Sequence, residues 1–268
     1  MLRRHFHDLP TAARQAIADK AGTILAARTA DAGLNSGIAA FIDAPDGQVF
    51  VKGIPTDHPQ ASAQRREAAI APHLPRSCPR LYWHTEVAGW DLLGYEVLQG
   101  RHAIYTPGSE DLPLITAALK ELQTITAPAD IAIKSAEQRW AAYAPPGTAH
   151  LFTGTTLLHT DLAPHNMLVA QRAHIIDWAW PTRGAAWIDP AVLILRLLEA
   201  GHSLTSADGI ANQLPSWRNA PAPAVQAFAA ANAATWTEIA QADKVPWKEA
   251  MAHHAIAFHT YTRTFLTR

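Results

Sequence analysis

The stretch LLHTDLAPHNMLV, residues 157–169, sets His159, Asp161, His165 and Asn166 between apolar ends. HIIDW, residues 174–178, closes a second short apolar run on Asp177. Polar groups removed from water are costly unless something pairs with them. Three arrangements would satisfy these. Oxygen donors from Asn166 and Asp177 suit Mg²⁺, a hard cation that prefers carboxylates, amides and substrate phosphates. Asp161 would then align a substrate hydroxyl and accept its proton, and His159 would hold the loop by hydrogen bonds. In a second arrangement His159, Asp161, His165 and Asp177 ligate the two metals of a hydrolase. The third is a polar loop closed on its own hydrogen bonds.

The elements that must position these groups follow from periodicity and turn signals. Leu9, Ala13, Ala16, Ile17 and Ala21 recur at helical spacing and predict a surface helix. Strands are expected at 24–29, 38–42 and 48–54, the last two joined as a hairpin by APDG. A polar helix is predicted over 60–71, then strands at 80–87 and 90–97. From Gln99 the pattern turns helical. EDLPLITAALKELQTI is amphipathic, IKSAEQRWAAYA reads as a second helix, and DPAVLILRLLEAGHS as a buried one opening on Asp189. Asp189 fits an N-cap with Pro190 at the first helical position. Pro215, Pro221 and Pro223 predict a loop, followed by helices over 224–241 and 247–265. A β-rich part, 1–98, thus precedes a helical part, 99–268: an α+β chain in two lobes.

Composition excludes several classes. Net charge is −1, so no basic field invites nucleic acid or an anionic membrane. The single cysteine, Cys78, rules out an intramolecular disulfide and a cysteine-built zinc site and fits a cytoplasmic setting. No run approaches the ~18 uncharged apolar residues of a membrane span, and the N-terminus lacks the apolar core of a signal peptide.

HTDLAPHN followed by IIDW resembles the catalytic loop and metal-binding motif of the protein-kinase-like fold. Thr160 after the histidine and IDW in place of DFG are similar to the aminoglycoside phosphotransferase branch, whose members phosphorylate small molecules. The resemblance implies a bilobal kinase-like fold, ATP (or GTP) and Mg²⁺ as cofactors, and a small-molecule hydroxyl as acceptor. Asp161 is then the catalytic carboxylate, and Asn166 and Asp177 hold the metal. Asp189 matches an aspartate that braces the catalytic loop.

Such a fold needs further parts upstream, and candidates occur in the right order. AGLNSG carries Gly33 and Gly37 for close approach to phosphate, with Asn35 and Ser36 as added donors. Lys52, in VFVKG, shares a strand face with Phe50, opposite Val49 and Val51. Glu67, on the next helix, is its expected partner, with Glu86 as the alternative. LLGYEVLQG resembles the hinge, so backbone groups around Glu96–Leu98 would meet the adenine, with Tyr95 and Leu98 as apolar cover. Arg101, His102 and Arg183 receive no role. His253, His254 and His259 read as surface or core histidines.

After Trp178 the chain has six acids and seven bases, with many aromatics. That balance argues against a polycationic acceptor and for a neutral, nucleoside-type or sugar-like one. The expected activity is therefore a small-molecule kinase, monomer or homodimer, of the kind that inactivates antibiotics. The alternative is a nucleotide-binding pseudokinase, whose mark would be a missing catalytic residue.

Overall fold

The structure is a computed structural model and describes residues 3–30 and 36–265. Internal contacts divide the chain into two compact units, Met1–Gln99 with Asp177–Ala179, and Gly100–Ile176 with Trp180–Arg268.

In the first unit a 3-10 turn, Phe6–Asp8, leads into helix α1, Thr11–Ala21. Five strands follow: β1 (Ala26–Thr29), β2 (Ile38–Ala44), β3 (Gly47–Pro55), β4 (Leu81–Val87) and β5 (Trp90–Glu96). Helix α2, Ala61–Ile70, lies between β3 and β4 in sequence. The strands form one antiparallel sheet in the order β1-β2-β3-β5-β4. The APDG hairpin is present, with Ala44 opposite Gly47 and Gly47 at φ +127°, a backbone region that favours glycine.

Strand alternation assigns the two faces of this sheet. Val49 and Val51 pack with Ile38, Ile42 and Leu92 against Phe6, Leu9, Ala13 and Ile17. The N-terminal helix is therefore more than a surface element: Ala13 and Ile17 are fully buried. On the opposite face Phe50 and Leu81 pack against Ala68 of α2, Leu93 and Tyr95. Lys52 follows the alternation of Phe50 and so faces α2.

The second unit is mainly helical. Its early elements are β6 (Arg101–His102), α3 (Asp111–Leu122), β7 (Lys134–Ser135) and α4 (Ala136–Trp140). Then come β8 (Thr156–Leu158), β9 (Met167–Val169), β10 (Ala173–Ile175) and β11 (Thr182–Gly184). The short strands make two sheets, β10-β9-β6 and β7-β11-β8. Five helices complete the chain: α5 (Ile188–Glu199), α6 (Leu204–Ala211), α7 (Pro215–Arg218), α8 (Ala222–Ala242) and α9 (Pro246–Phe265). Trp140, Phe152, Trp187 and Phe228 meet edge-to-face in its core. Among the described residues no helix is long and apolar enough to cross a membrane.

Three sequence expectations change. The helix expected through IKSAEQRWAAYA is only five residues, capped by Ser135 and Gln138; after Trp140 the chain wraps into turns. The expected loop around Pro215 holds α6 and α7, because Pro215 starts a helix rather than breaking one. Asp189 is not the N-cap of α5. The cap is Trp187, and Asp189 lies inside the first turn.

Candidate active site

In the first unit Lys52 is the centre of a charged cluster. Its Nζ donates to Glu67 Oε2 at 2.8 Å and to Asp177 Oδ1 at 2.7 Å. Tyr95 donates its hydroxyl to the other Glu67 oxygen at 3.0 Å. The pairing of β3 with β5 brings Phe50 opposite Tyr95, and α2 supplies Glu67 above the same face. Burial alone would push the Lys52 ammonium down; Glu67 and Asp177 overcome it and hold it above its ordinary value. Burial pushes the Glu67 carboxyl up, and Lys52 offsets part of that. Tyr95 is pushed well up by burial and then by Glu67, so it stays a hydroxyl donor.

Asp177 adopts φ +64°, the left-handed region that non-glycine residues seldom occupy. Such backbone persists where surrounding contacts over-determine it, and it concentrates at functional sites. The Asp177 carboxylate is one-third exposed, unlike Glu67.

In the second unit β8 delivers His159, Thr160 and Asp161. The loop is held from below by Asp189, whose two oxygens accept the backbone N–H groups of His159 and Thr160, each at 2.9 Å. Burial pushes the Asp189 carboxyl up, and these two hydrogen bonds offset it in part. Thr160, at φ +66°, donates its hydroxyl to Trp180 O at 3.1 Å. His159 is 1 % exposed. Its Nε2 lies 3.0 Å from Ile176 O, and its Nδ1 3.3 Å from the Asp161 N–H. A carbonyl only accepts and an amide N–H only donates, so His159 carries its proton on Nε2. It is scaffolding that fixes the residue preceding Asp177. Asn166 donates its amide N–H to Asp161 O at 3.0 Å, which leaves its amide oxygen for another partner. His165 is exposed.

The Asp161 carboxylate accepts from Arg196 Nη2 at 3.0 Å. Arg196, on α5, also donates to Glu199 at 3.0 Å and lies over the Trp236 ring. Arg196 did not enter the sequence reading of the site, and Tyr95 entered it as cover for the adenine, not as the partner of Glu67. Arg196 had a legible signal, as the one cation in the otherwise apolar run AVLILRLL.

Other expected site residues are placed as follows. Ser36 is buried just before β2; Asn35 and Gly33 lie outside the described residues. Glu96 accepts from the Arg80 N–H at 3.2 Å, and Leu98 is half-buried. Tyr95 is committed to Glu67 rather than open as an apolar cover. Glu86 pairs with Arg65 at 2.6 Å, not with Lys52. Arg101 is not a merely solvated residue: its fork grips Asp111 at 2.6 and 2.9 Å. Within the second unit His159, Asp161 and His165 do not gather closely enough for a metal; among the described residues the His, Asp and Glu side chains that do are His84, Glu86 and Asp91. There Arg65 already supplies the positive charge, 3.5 Å from Asp91.

Taken unit by unit, the oxygen donors are of types that suit Mg²⁺. Asp177 is a partly exposed carboxylate, and Asn166 has an amide oxygen not used by its own loop bond. The Lys52, Glu67 and Asp177 cluster has two carboxylates to one ammonium, a surplus of negative charge that favours a cation.

The sequence matches no family model and no curated relative. Solved structures do match. Choline kinase LicA from Streptococcus pneumoniae aligns with a TM-score of 0.65 at 12% identity, over 92% of this chain and 97% of that one. A thermostable mutant of aminoglycoside phosphotransferase APH(4)-Ia, in a ternary complex with ADP and hygromycin B, aligns at 0.63 and 12%, over 95% and 99%. The chain has the protein-kinase-like fold. The α+β kinase-like fold expected from HTDLAPHN and IIDW is thus the one found.

Proposed function

We propose that the protein is a small-molecule kinase that transfers the γ-phosphoryl group of ATP, or GTP, to a hydroxyl. The observation that carries this reading is Lys52 held between buried Glu67 and strained Asp177. A phosphate-binding lysine needs such a partner to fix it, and a metal-binding aspartate needs to sit beside it. All four residues whose loss would mark a pseudokinase, Lys52, Asp161, Asn166 and Asp177, are present.

In this reading residues 1–98 bind the nucleotide and 99–268 supply catalysis and the acceptor site. Lys52 binds the α- and β-phosphates, Asn35 and Ser36 add donors, and backbone groups at Glu96–Leu98 take the adenine. Asn166 and Asp177 hold Mg²⁺, which when bound neutralises phosphate charge. Asp161 orients the acceptor hydroxyl and takes its proton as oxygen bonds to the γ-phosphorus and the bond to the β-phosphate oxygen breaks, releasing ADP. Arg196 fixes the Asp161 carboxylate in direction. The acceptor is antibiotic- or sugar-like and not a polycation, and the enzyme is cytoplasmic, as monomer or homodimer.

The test is incubation of the purified chain with ATP–Mg²⁺ and a panel of hydroxylated antibiotics, nucleosides and sugars, read by mass. One acceptor should gain one phosphoryl group. Asp161→Asn should lower that rate by about 10²–10⁴-fold with an unchanged melting temperature. Near-wild-type turnover in Asp161→Asn removes the assignment.

A further inference from the structure

From a cavity in the second unit we infer that the acceptor carries an anionic group, a carboxylate or a phosphate, which binds Arg139. This rests on the kinase reading and narrows its acceptor. The cavity holds about 190 Å³ and is walled by α4, α5 and α8. That is below the ~300 Å³ at which drug-sized pockets begin, so it suits one ring with its substituents. Thr160 lines it, and the next residue is Asp161. Arg196, on the wall, bonds Asp161 directly. An occupant therefore lies beside the proposed base.

The walls are selective in charge. The two charged residues lining the cavity are Arg139 and Arg196, with Trp140, Tyr143 and Trp236 giving aromatic faces. Arg196 already serves Asp161 and Glu199. Arg139 differs. Its Nη1 donates to Trp180 O at 3.1 Å and Thr182 Oγ1 at 3.0 Å, both neutral acceptors. Among the described residues no carboxylate forms an ion pair with it. Its guanidinium lies over the Trp140 ring, at 5.1 Å, and over the Trp180 ring, at 5.6 Å. Burial pushes it down to about 10, with Asp161 and Asp189 offsetting part of that from farther away. A guanidinium has five donors in a planar fork, and such a fork matches a carboxylate or phosphate. The nearby acids are engaged: Glu199 by Arg196 and Glu238 by the Tyr143 hydroxyl at 3.0 Å. The wall thus offers a cation for an anion and no spare acid for a polycation.

The test uses matched one-ring probes on the full chain with ATP–Mg²⁺, methyl glucoside, methyl glucuronide and methyl glucoside 6-phosphate, with kanamycin as the polycation. Binding is read by tryptophan fluorescence and transfer by mass. The glucuronide or the 6-phosphate should bind about tenfold or more tighter than the glucoside; which of the two does so distinguishes carboxylate from phosphate. Arg139→Gln, which can keep a hydrogen bond to Thr182, should erase that gap while ATP–Mg²⁺ binding persists. Equal binding of glucoside and both anions, tighter binding of kanamycin, binding of no probe, or a gap that survives in Arg139→Gln overturns the inference. The gap within the wild-type chain decides the matter even if the variant does not fold. ATP–Mg²⁺ that binds without any preference for the anions sinks this inference alone. Failure to bind ATP–Mg²⁺ sinks the kinase reading instead.

Discussion

Glu67 receives two donors in a buried site, Lys52 Nζ and the Tyr95 hydroxyl, and loses one of them in Tyr95→Phe. A buried carboxylate short of a donor costs about 1–3 kcal/mol or more. The variant should therefore melt lower and bind ATP–Mg²⁺ more weakly, as calorimetry and titration would register; an unchanged nucleotide affinity would mean Glu67 does not steer Lys52. His165 is the contrasting case. It is exposed and outside the metal and base sets, so His165→Ala should keep full turnover, whereas a two-metal hydrolase would lose it. Arg101 and Asp111 give a pH signature. The Arg101 fork, with a backbone N–H from Ile104, holds the Asp111 carboxyl below its usual range. Because the folded chain binds that proton less readily than the unfolded one, the contribution is complete above about pH 4 and fades as pH falls through the lower folded value. The melting-temperature gap between wild type and Asp111→Asn should be constant from neutral pH to about 5 and shrink below about 4.

The strands and hairpin of the first unit were legible because alternation and turn residues act locally: Val49 and Val51 are buried where Phe50 and Lys52 face α2. The Lys52–Glu67 pair was legible through order and spacing, and Asp177 joins it on Lys52. What tertiary contact decides was not. Pro215 starts a helix because its missing N–H falls where none is needed. Asp189 looked like a cap, yet its oxygens belong to a strand end thirty residues earlier in sequence. That brace makes an element-scale expectation. Asp189→Ala leaves two backbone N–H groups without acceptors beneath the Asp161 loop. At about 1–3 kcal/mol each, the unfolding free energy in urea should fall by about 2–6 kcal/mol, and turnover should fall with it. Gly94 makes another. A side-chain carbon there would enter the Trp83 ring, so Gly94→Ala must shift an indole across β4 and β5. A loss of about 1–3 kcal/mol is expected for such overpacking; a neutral result would show that Trp83 moves freely.

At the scale of the whole molecule the two units carry different parts of the proposed chemistry, with Lys52, Glu67 and Asp177 in one and Asp161 and Asn166 in the other. With a net charge of −1 the chain has no large overall charge to draw nucleotide in, so the proposed binding rests on these placed groups. Ligand that binds only the folded chain adds RT ln(1 + [L]/Kd), about 2.7 kcal/mol at a hundredfold excess over Kd. Calorimetry with ATP–Mg²⁺ should therefore move the transition of the unit that binds it. If the units melt separately, a single melting temperature would be the wrong quantity. Lys52→Met should abolish the shift, because the phosphates lose their cation. Asp177→Asn should instead leave a residual shift that no longer depends on Mg²⁺, since Lys52 remains but the metal loses its carboxylate. An identical upward shift in wild type and Lys52→Met would place the nucleotide somewhere other than the Lys52 cluster.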